Sequence, residues 1–160
     1  MMHSVHCVCA PARPGMASPQ PTSPRFERPR RIRFVDCDPA GIVFFPQYFV
    51  MFNALVEDWV TEALGIPYAG LLGRRCNGMP TVSLQTEFRA ISRMGDDVAL
   101  GLQVERLGAR SFTLALNCRC GDEERVRSQH VIVTTSLQTH LALAIPDDLR
   151  AAIERFRCPG

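Results

Sequence analysis

Apolar residues follow two different periods along this chain, and the order in which the periods occur predicts a fold class. From Gln47 to Leu64 the residues Tyr48, Phe52, Leu55, Trp59 and Ala63 recur at helical spacing, and Phe49, Val56 and Val60 widen the stripe. Pro46 suits the first helical position, where its missing N–H costs nothing, and Gly65 is placed to end the helix. Such a helix, roughly 27 Å long, is the main one of the chain. Ahead of it, Arg31-Ile32-Arg33-Phe34-Val35 alternates and predicts a short strand with Ile32 and Phe34 on one face. Behind it the period changes to two. Val82, Leu84 and Phe88 alternate with polar residues, as do Val98, Leu100, Leu102 and Val104, and then Phe112, Leu114, Leu116 and Cys118. This predicts an antiparallel meander covered on one side. A fourth strand over Arg125 to Leu137 carries the consecutive Val131-Ile132-Val133 and is expected to be buried on both faces. Ile145-Pro146-Asp147-Asp148 opens a short terminal helix, with early acids at the positive end of its dipole. The order of elements predicts an α+β fold with one apolar helix buried by an antiparallel sheet.

Residues 1–28 contain several prolines and scattered serines with no periodicity, so they are expected to form a disordered N-terminal extension, with the folded domain over 29–160. Met16 is read as the initiator within that segment. At 160 residues and 17.8 kDa the chain has the size of one domain, and 46% hydrophobic residues suffice for a core. All 18 basic residues are arginine, and the net charge of +2 does not describe a nucleic-acid groove. The seven cysteines form no CxxC pair and no disulfide framework. Cys7/Cys9 and Cys118/Cys120 lack a following partner pair at ligand spacing, so no metal is expected. No apolar run is long enough to span a bilayer, and no signal peptide is recognised. A cytoplasmic protein without membrane contact is expected.

The chemistry is concentrated in Asp36-Cys37-Asp38-Pro39-Ala40-Gly41-Ile42-Val43-Phe44-Phe45-Pro46-Gln47-Tyr48. Asp-Pro starts a turn and Gly41 permits a positive φ. Asp38 therefore falls in a loop just before a helix N-terminus, whose free N–H groups near Phe44 to Tyr48 can hold developing negative charge. A carboxylate beside such a site is the minimum machinery for hydrolysing a thioester. The segment resembles the active-site motif of the 4-hydroxybenzoyl-CoA thioesterases. Gly78-Met79-Pro80-Thr81-Val82-Ser83 and Arg110-Ser111-Phe112 match weaker landmarks of that family.

The resemblance implies a hot-dog fold, an antiparallel sheet wrapped around one long central helix, over about residues 30 to 155. It implies Asp38 as base or nucleophile and the backbone N–H of Phe45 as the group that polarises the carbonyl. Gly41, Val43, Phe44, Tyr48, Met79, Thr81, Arg110 and Ser111 are the corresponding substrate-binding candidates. The substrate implied is a small-molecule acyl- or aryl-CoA, with coenzyme A present only as part of it and no separate cofactor. A homodimer or homotetramer with sites at the subunit interface is implied as well. Phe45 stands where the family motif has Tyr, Met79 where it has a small polar residue, and Gly108 and Ala109 where it has basic residues. These departures point to an apolar acyl group and a weaker hold on the nucleotide.

Asp36 is read as a structural acceptor within the loop, and Glu57 as part of a polar helix face. His130 is read as a satisfied strand histidine, and Cys37, between two acids, as a poor nucleophile. Two alternatives remain. One is a non-catalytic hot-dog module that holds an acyl thioester. The other is a dehydratase, which needs a histidine that the loop before the helix does not supply.

Overall fold

The computed structural model describes residues 25–157. Strand β1 (Phe26–Arg31) leads through a 3-10 turn to helix α1 (Pro46–Asp58), which runs on as one wider π-wound turn over Trp59–Ala63. After the short α2 (Tyr68–Leu72) and β2 (Asn77–Gly78) come four long strands. These are β3 (Thr81–Phe88), β4 (Asp97–Leu107), β5 (Ser111–Cys120) and β6 (Glu123–Val133). The two-residue β7 (Thr135–Ser136) and helix α3 (Asp147–Glu154) complete the order. The sheet is antiparallel, ordered β1-β4-β5-β6-β3, and β2 pairs with β7 in a separate ladder.

Helix α1 lies against the inner face of this sheet. Met51, Phe52, Leu55, Val56, Trp59 and Val60 are buried on it. They meet the buried alternate residues of β4 (Val98, Leu100, Leu102, Val104) and of β5 (Phe112, Leu114, Leu116, Cys118). Trp59 sits at the centre, fully buried, with ring centroids of Phe112 and Phe156 at 6.3 and 5.8 Å. The π turn, closed by the Leu64 N–H donating to the Trp59 carbonyl at 3.0 Å, keeps Leu64 on the core side. Gly65, at φ +71, then ends the helix.

Four expectations change. The first strand begins at Phe26, so residues 25–28 belong to the fold and not to an extension. Residues 1–24, with Met16, Cys7 and Cys9, and residues 158–160, with Cys158, lie outside the described residues. Ile32 is buried, but Phe34 and Val35 are exposed. The chain turns at Phe34–Asp36, so the alternation at 31–35 is not that of a strand. Strand β6 is not buried on both faces, because Val126, Ser128, His130 and Ile132 alternate inward and the strand ends at Val133. Finally, the apolar face of β3 is uncovered: Val82, Leu84 and Phe88 are all exposed. Strand β3 is the last in the sheet, beyond the width that α1 covers.

Trp59→Ala should lower stability by about 3–5 kcal/mol, because it empties the centre of the core. The midpoint of urea unfolding measures it.

Candidate active site

The loop before α1 is held from below. Asp36 is buried and accepts from the Arg30 guanidinium at 2.9 Å and from the Arg33 N–H at 2.8 Å. Its own carbonyl accepts the Phe44 N–H at 2.9 Å. Val43 donates its N–H to the Ser92 carbonyl at 2.9 Å, and the Tyr48 hydroxyl donates to Ser92 Oγ at 2.9 Å. Burial pushes the Tyr48 phenol up from its ordinary value. Val43 and Tyr48, expected to touch substrate, are therefore core residues that support the loop from underneath.

Above this base the chain makes a tight reversal. The Asp38 N–H donates to the Ile42 carbonyl at 3.0 Å, and the Gly41 N–H donates to the Asp38 carbonyl at 2.9 Å. Gly41 adopts φ +75, which any side chain would resist. Asp38 is half-buried at the tip, with Oδ1 accepting the Ala40 N–H at 2.9 Å. Its Oδ2 has no partner among the described residues. Cys37 is half-buried, and burial first, then Asp36 and Asp38, push its thiol up, so it is a poor nucleophile at neutral pH.

The helix N-terminus offers less than a row of free donors. The Phe44 N–H is taken by Asp36, Pro46 has none, and the Gln47 and Tyr48 N–H groups donate to the Phe44 and Phe45 carbonyls. Only the Phe45 N–H in this stretch has no acceptor among the described residues. The Phe44 and Phe45 side chains are exposed, with Phe45 edge-on to Phe88 at 6.2 Å.

The other candidates lie elsewhere. Phe88, beside Phe45 and Tyr48, pairs with Val126, whereas Thr81 pairs with Ile132 at the opposite end of β3. Seven strand residues separate the two ends, about 23 Å. Met79 and Thr81 line a cavity of 340 Å³ at the Thr81 end, between α1 and the β3–β6 pair. Arg110 and Ser111 are at that same end, at the start of β5, where Ser111 pairs with Val133. Arg110 uses its carbonyl to accept the Thr134 N–H, and neither residue lines the cavity. One chain thus separates Asp38, Gly41, Phe44 and Phe45 from Met79, Thr81, Arg110 and Ser111.

The position of Met79 depends on a close approach. A Cβ on Gly78 would come within 2.8 Å of the Leu137 side chain and 2.9 Å of the Thr135 hydroxyl, so both side chains would have to shift to admit one. The cavity wall also brings in Asn53, Glu57, Tyr68 and His130, none of which was among the substrate-binding candidates. Phe49, Asn53, Val56 and Glu57 stand at i, i+4, i+7 and i+8, a second face of α1 beside the core stripe, and that spacing was the available signal. His130 is buried, and burial pushes its pKa down to about 4.

The comparisons with known proteins agree with this architecture. Residues 32–153 match the family described as the thioesterase-like superfamily. The chain belongs to that superfamily. Its members of the hot-dog fold share the sheet wrapped on one central helix seen here. The chain is 30% identical over 134 residues to a 1,4-dihydroxy-2-naphthoyl-CoA hydrolase of Prochlorococcus marinus (strain MIT 9313), covering 78% of this chain and 87% of that one. It is 31% identical over 85 residues to the 4-hydroxybenzoyl-CoA thioesterase of Pseudomonas sp. (strain CBS-3), covering 52% and 60%. A solved gentisyl-coenzyme A thioesterase superposes with a TM-score of 0.72 at 26% identity, covering 79% of this chain and 98% of that one.

Because the folded chain holds His130 neutral, the unfolded chain takes up a proton first as the pH falls. The stability this contributes is complete above the ordinary histidine value of 6.5 and is lost as the pH falls toward about 4. The melting temperature should drop across that window, and less steeply in His130→Asn. Thermal unfolding at several pH values measures both.

Proposed function

We propose that this member of the superfamily hydrolyses aryl-CoA thioesters, with Asp38 as base or nucleophile and the Phe45 N–H as the oxyanion donor. The observation that carries the reading is that the start of one helix holds both a carboxylate oxygen and a backbone N–H without a partner among the described residues. Asp38 attacks the thioester carbonyl carbon or removes a proton from the water that does. Negative charge then gathers on the carbonyl oxygen, where the Phe45 N–H and the positive end of α1 stabilise it. Collapse expels the thiolate of coenzyme A. It leaves the carboxylic acid where water attacked, and where Asp38 attacked it leaves an acyl-Asp38 anhydride that a water then hydrolyses to the acid and free Asp38.

The acyl group we assign to the 340 Å³ cavity, a volume within the usual range for a small-molecule site. Its wall mixes Val56, Met79 and Ile132 with Asn53, Tyr68 and Thr81. That mixture favours a hydroxylated aromatic acyl group over the apolar one that Phe45 and Met79 suggest from the sequence. The names of the three relatives, each a hydrolase of a hydroxyaryl-CoA, point the same way.

Met79 and Thr81, in the cavity wall, lie at the end of β3 opposite to Phe88 and the Asp38 loop, an arrangement that a second copy can complete. Strand β3 is an edge with an uncovered apolar face. Pairing two β3 edges antiparallel about a two-fold axis brings the Asp38 end of one chain to the Thr81 end of the other. The active unit is then a homodimer with two shared sites.

Asp38→Asn should fold normally and lower kcat on 4-hydroxybenzoyl-CoA by at least about 100-fold, read as thiol release; an undiminished rate refutes the assignment. Val82→Arg, which puts a charge on the exposed β3 face, should shift the mass seen by light scattering from dimer to monomer and lower activity with it. A monomer that retains full activity excludes the shared site.

A further inference from the structure

Helix α1 and strand β6 enclose a histidine that the fold leaves half satisfied. His130 is 2% exposed, and its Nε2 lies 2.9 Å from Ser128 Oγ, which in turn lies 2.6 Å from Thr86 Oγ1. The hydroxyl chain stops there, toward the β3 edge. On the other side of the ring, Nδ1 is buried and has no hydrogen-bond partner among the described residues. Phe52 packs edge-on against the imidazole at 5.9 Å and Phe49 packs tilted at 6.5 Å. An orphaned polar atom in an apolar setting is costly, and native folds keep few of them without a use. This one belongs to a side chain that forms part of the cavity wall.

We propose that His130 determines acyl specificity, its Nδ1 making a hydrogen bond to a ring hydroxyl of the bound aryl group. The inference rests on the reading of this cavity as the acyl site of an aryl-CoA thioesterase. A neutral imidazole fixed at Nε2 presents a single unsatisfied nitrogen, and a phenolic hydroxyl can serve it as donor or as acceptor. The half-buried Phe49 ring, which lines the same cavity, is the cover that the acyl group displaces to reach it. A plain phenyl ring entering the same space leaves Nδ1 unpaired, so the site discriminates against it. Asn53 and Tyr68 line the same cavity and can take further polar groups on the ring.

The test compares benzoyl-CoA with the 2-, 3- and 4-hydroxybenzoyl-CoA isomers on the full chain and on two variants. His130→Phe keeps the volume and removes both ring nitrogens. His130→Asn keeps a polar atom near the position of Nδ1. The intact protein should favour one hydroxylated isomer over benzoyl-CoA in kcat/KM by about 10- to 100-fold. His130→Phe should reduce that ratio to within about threefold of unity, and His130→Asn should recover part of it. A merely structural histidine would lower all four substrates together, and that result overturns the proposal. So does a wild-type enzyme indifferent to the hydroxyl.

A second arm needs no turnover and no variant. The 15N resonances of the His130 imidazole are followed while benzoate and the hydroxybenzoates are added to the intact protein. A shift at Nδ1 with a hydroxylated acid and none with benzoate supports the assignment; equal responses overturn it. Failure of every thioester to hydrolyse would remove the thioesterase reading, and the 15N arm would still decide on His130.

Discussion

Burial of α1 against one face of an antiparallel sheet is the constraint on which the rest of this molecule depends. The helix carries Met51, Phe52, Leu55, Val56, Trp59 and Val60 on one wide face, and only a sheet that curls around it can remove all of them from water. Once Trp59 is seated between Phe112 and Phe156, the N-terminal end of the helix is fixed relative to the strands. The loop before it has then little freedom, and Asp36, Ser92 and Tyr48 remove the rest. The geometry of the Asp38 loop is a consequence of core packing carried to one end of a helix.

Precision at that end comes from occupying donors rather than from supplying many. Phe44, Gln47 and Tyr48 spend their N–H groups inside the turn, and Pro46 has none to spend. What remains in that stretch is the Phe45 N–H, and in the turn before it the Asp38 carboxylate has its Oδ1 held by Ala40. A charge developing near this loop finds one donor in this stretch, already oriented and costing no reorganisation when the charge appears.

The same packing leaves one edge of the sheet open. Val82, Leu84 and Phe88 of the edge strand β3 stay exposed, and the Asp38 loop and Thr81 stand toward opposite ends of that strand. An edge strand with apolar residues on its exposed face and polar ones such as Gln85 and Glu87 on the other is suited to pairing. In the proposed dimer the Thr81 end of one β3 meets the Phe88 end of the other.

Much of this was legible along the chain. Helical spacing from Tyr48 to Trp59, alternation in β4 and β5, and the turn chemistry from Asp38 to Gly41 are local properties. They result from backbone geometry and side-chain period, which each segment carries with it. The loop motif also placed Asp38 and Phe45 at the helix start, because residues so close in sequence cannot be far apart in space. Local pattern misled where burial depends on distant neighbours. The alternation at 31–35 ends in exposed Phe34, and β3 reads like a covered strand although its Val82, Leu84 and Phe88 are exposed. His130 looked satisfied because a sequence cannot show that Ser128 reaches one ring nitrogen and nothing reaches the other. The sequence by itself determined most of the elements, their order and the turn that carries Asp38. Only the tertiary structure decided which apolar face stays open, which N–H stays free and which polar atoms meet across the cavity, because each depends on contacts between segments far apart in the chain.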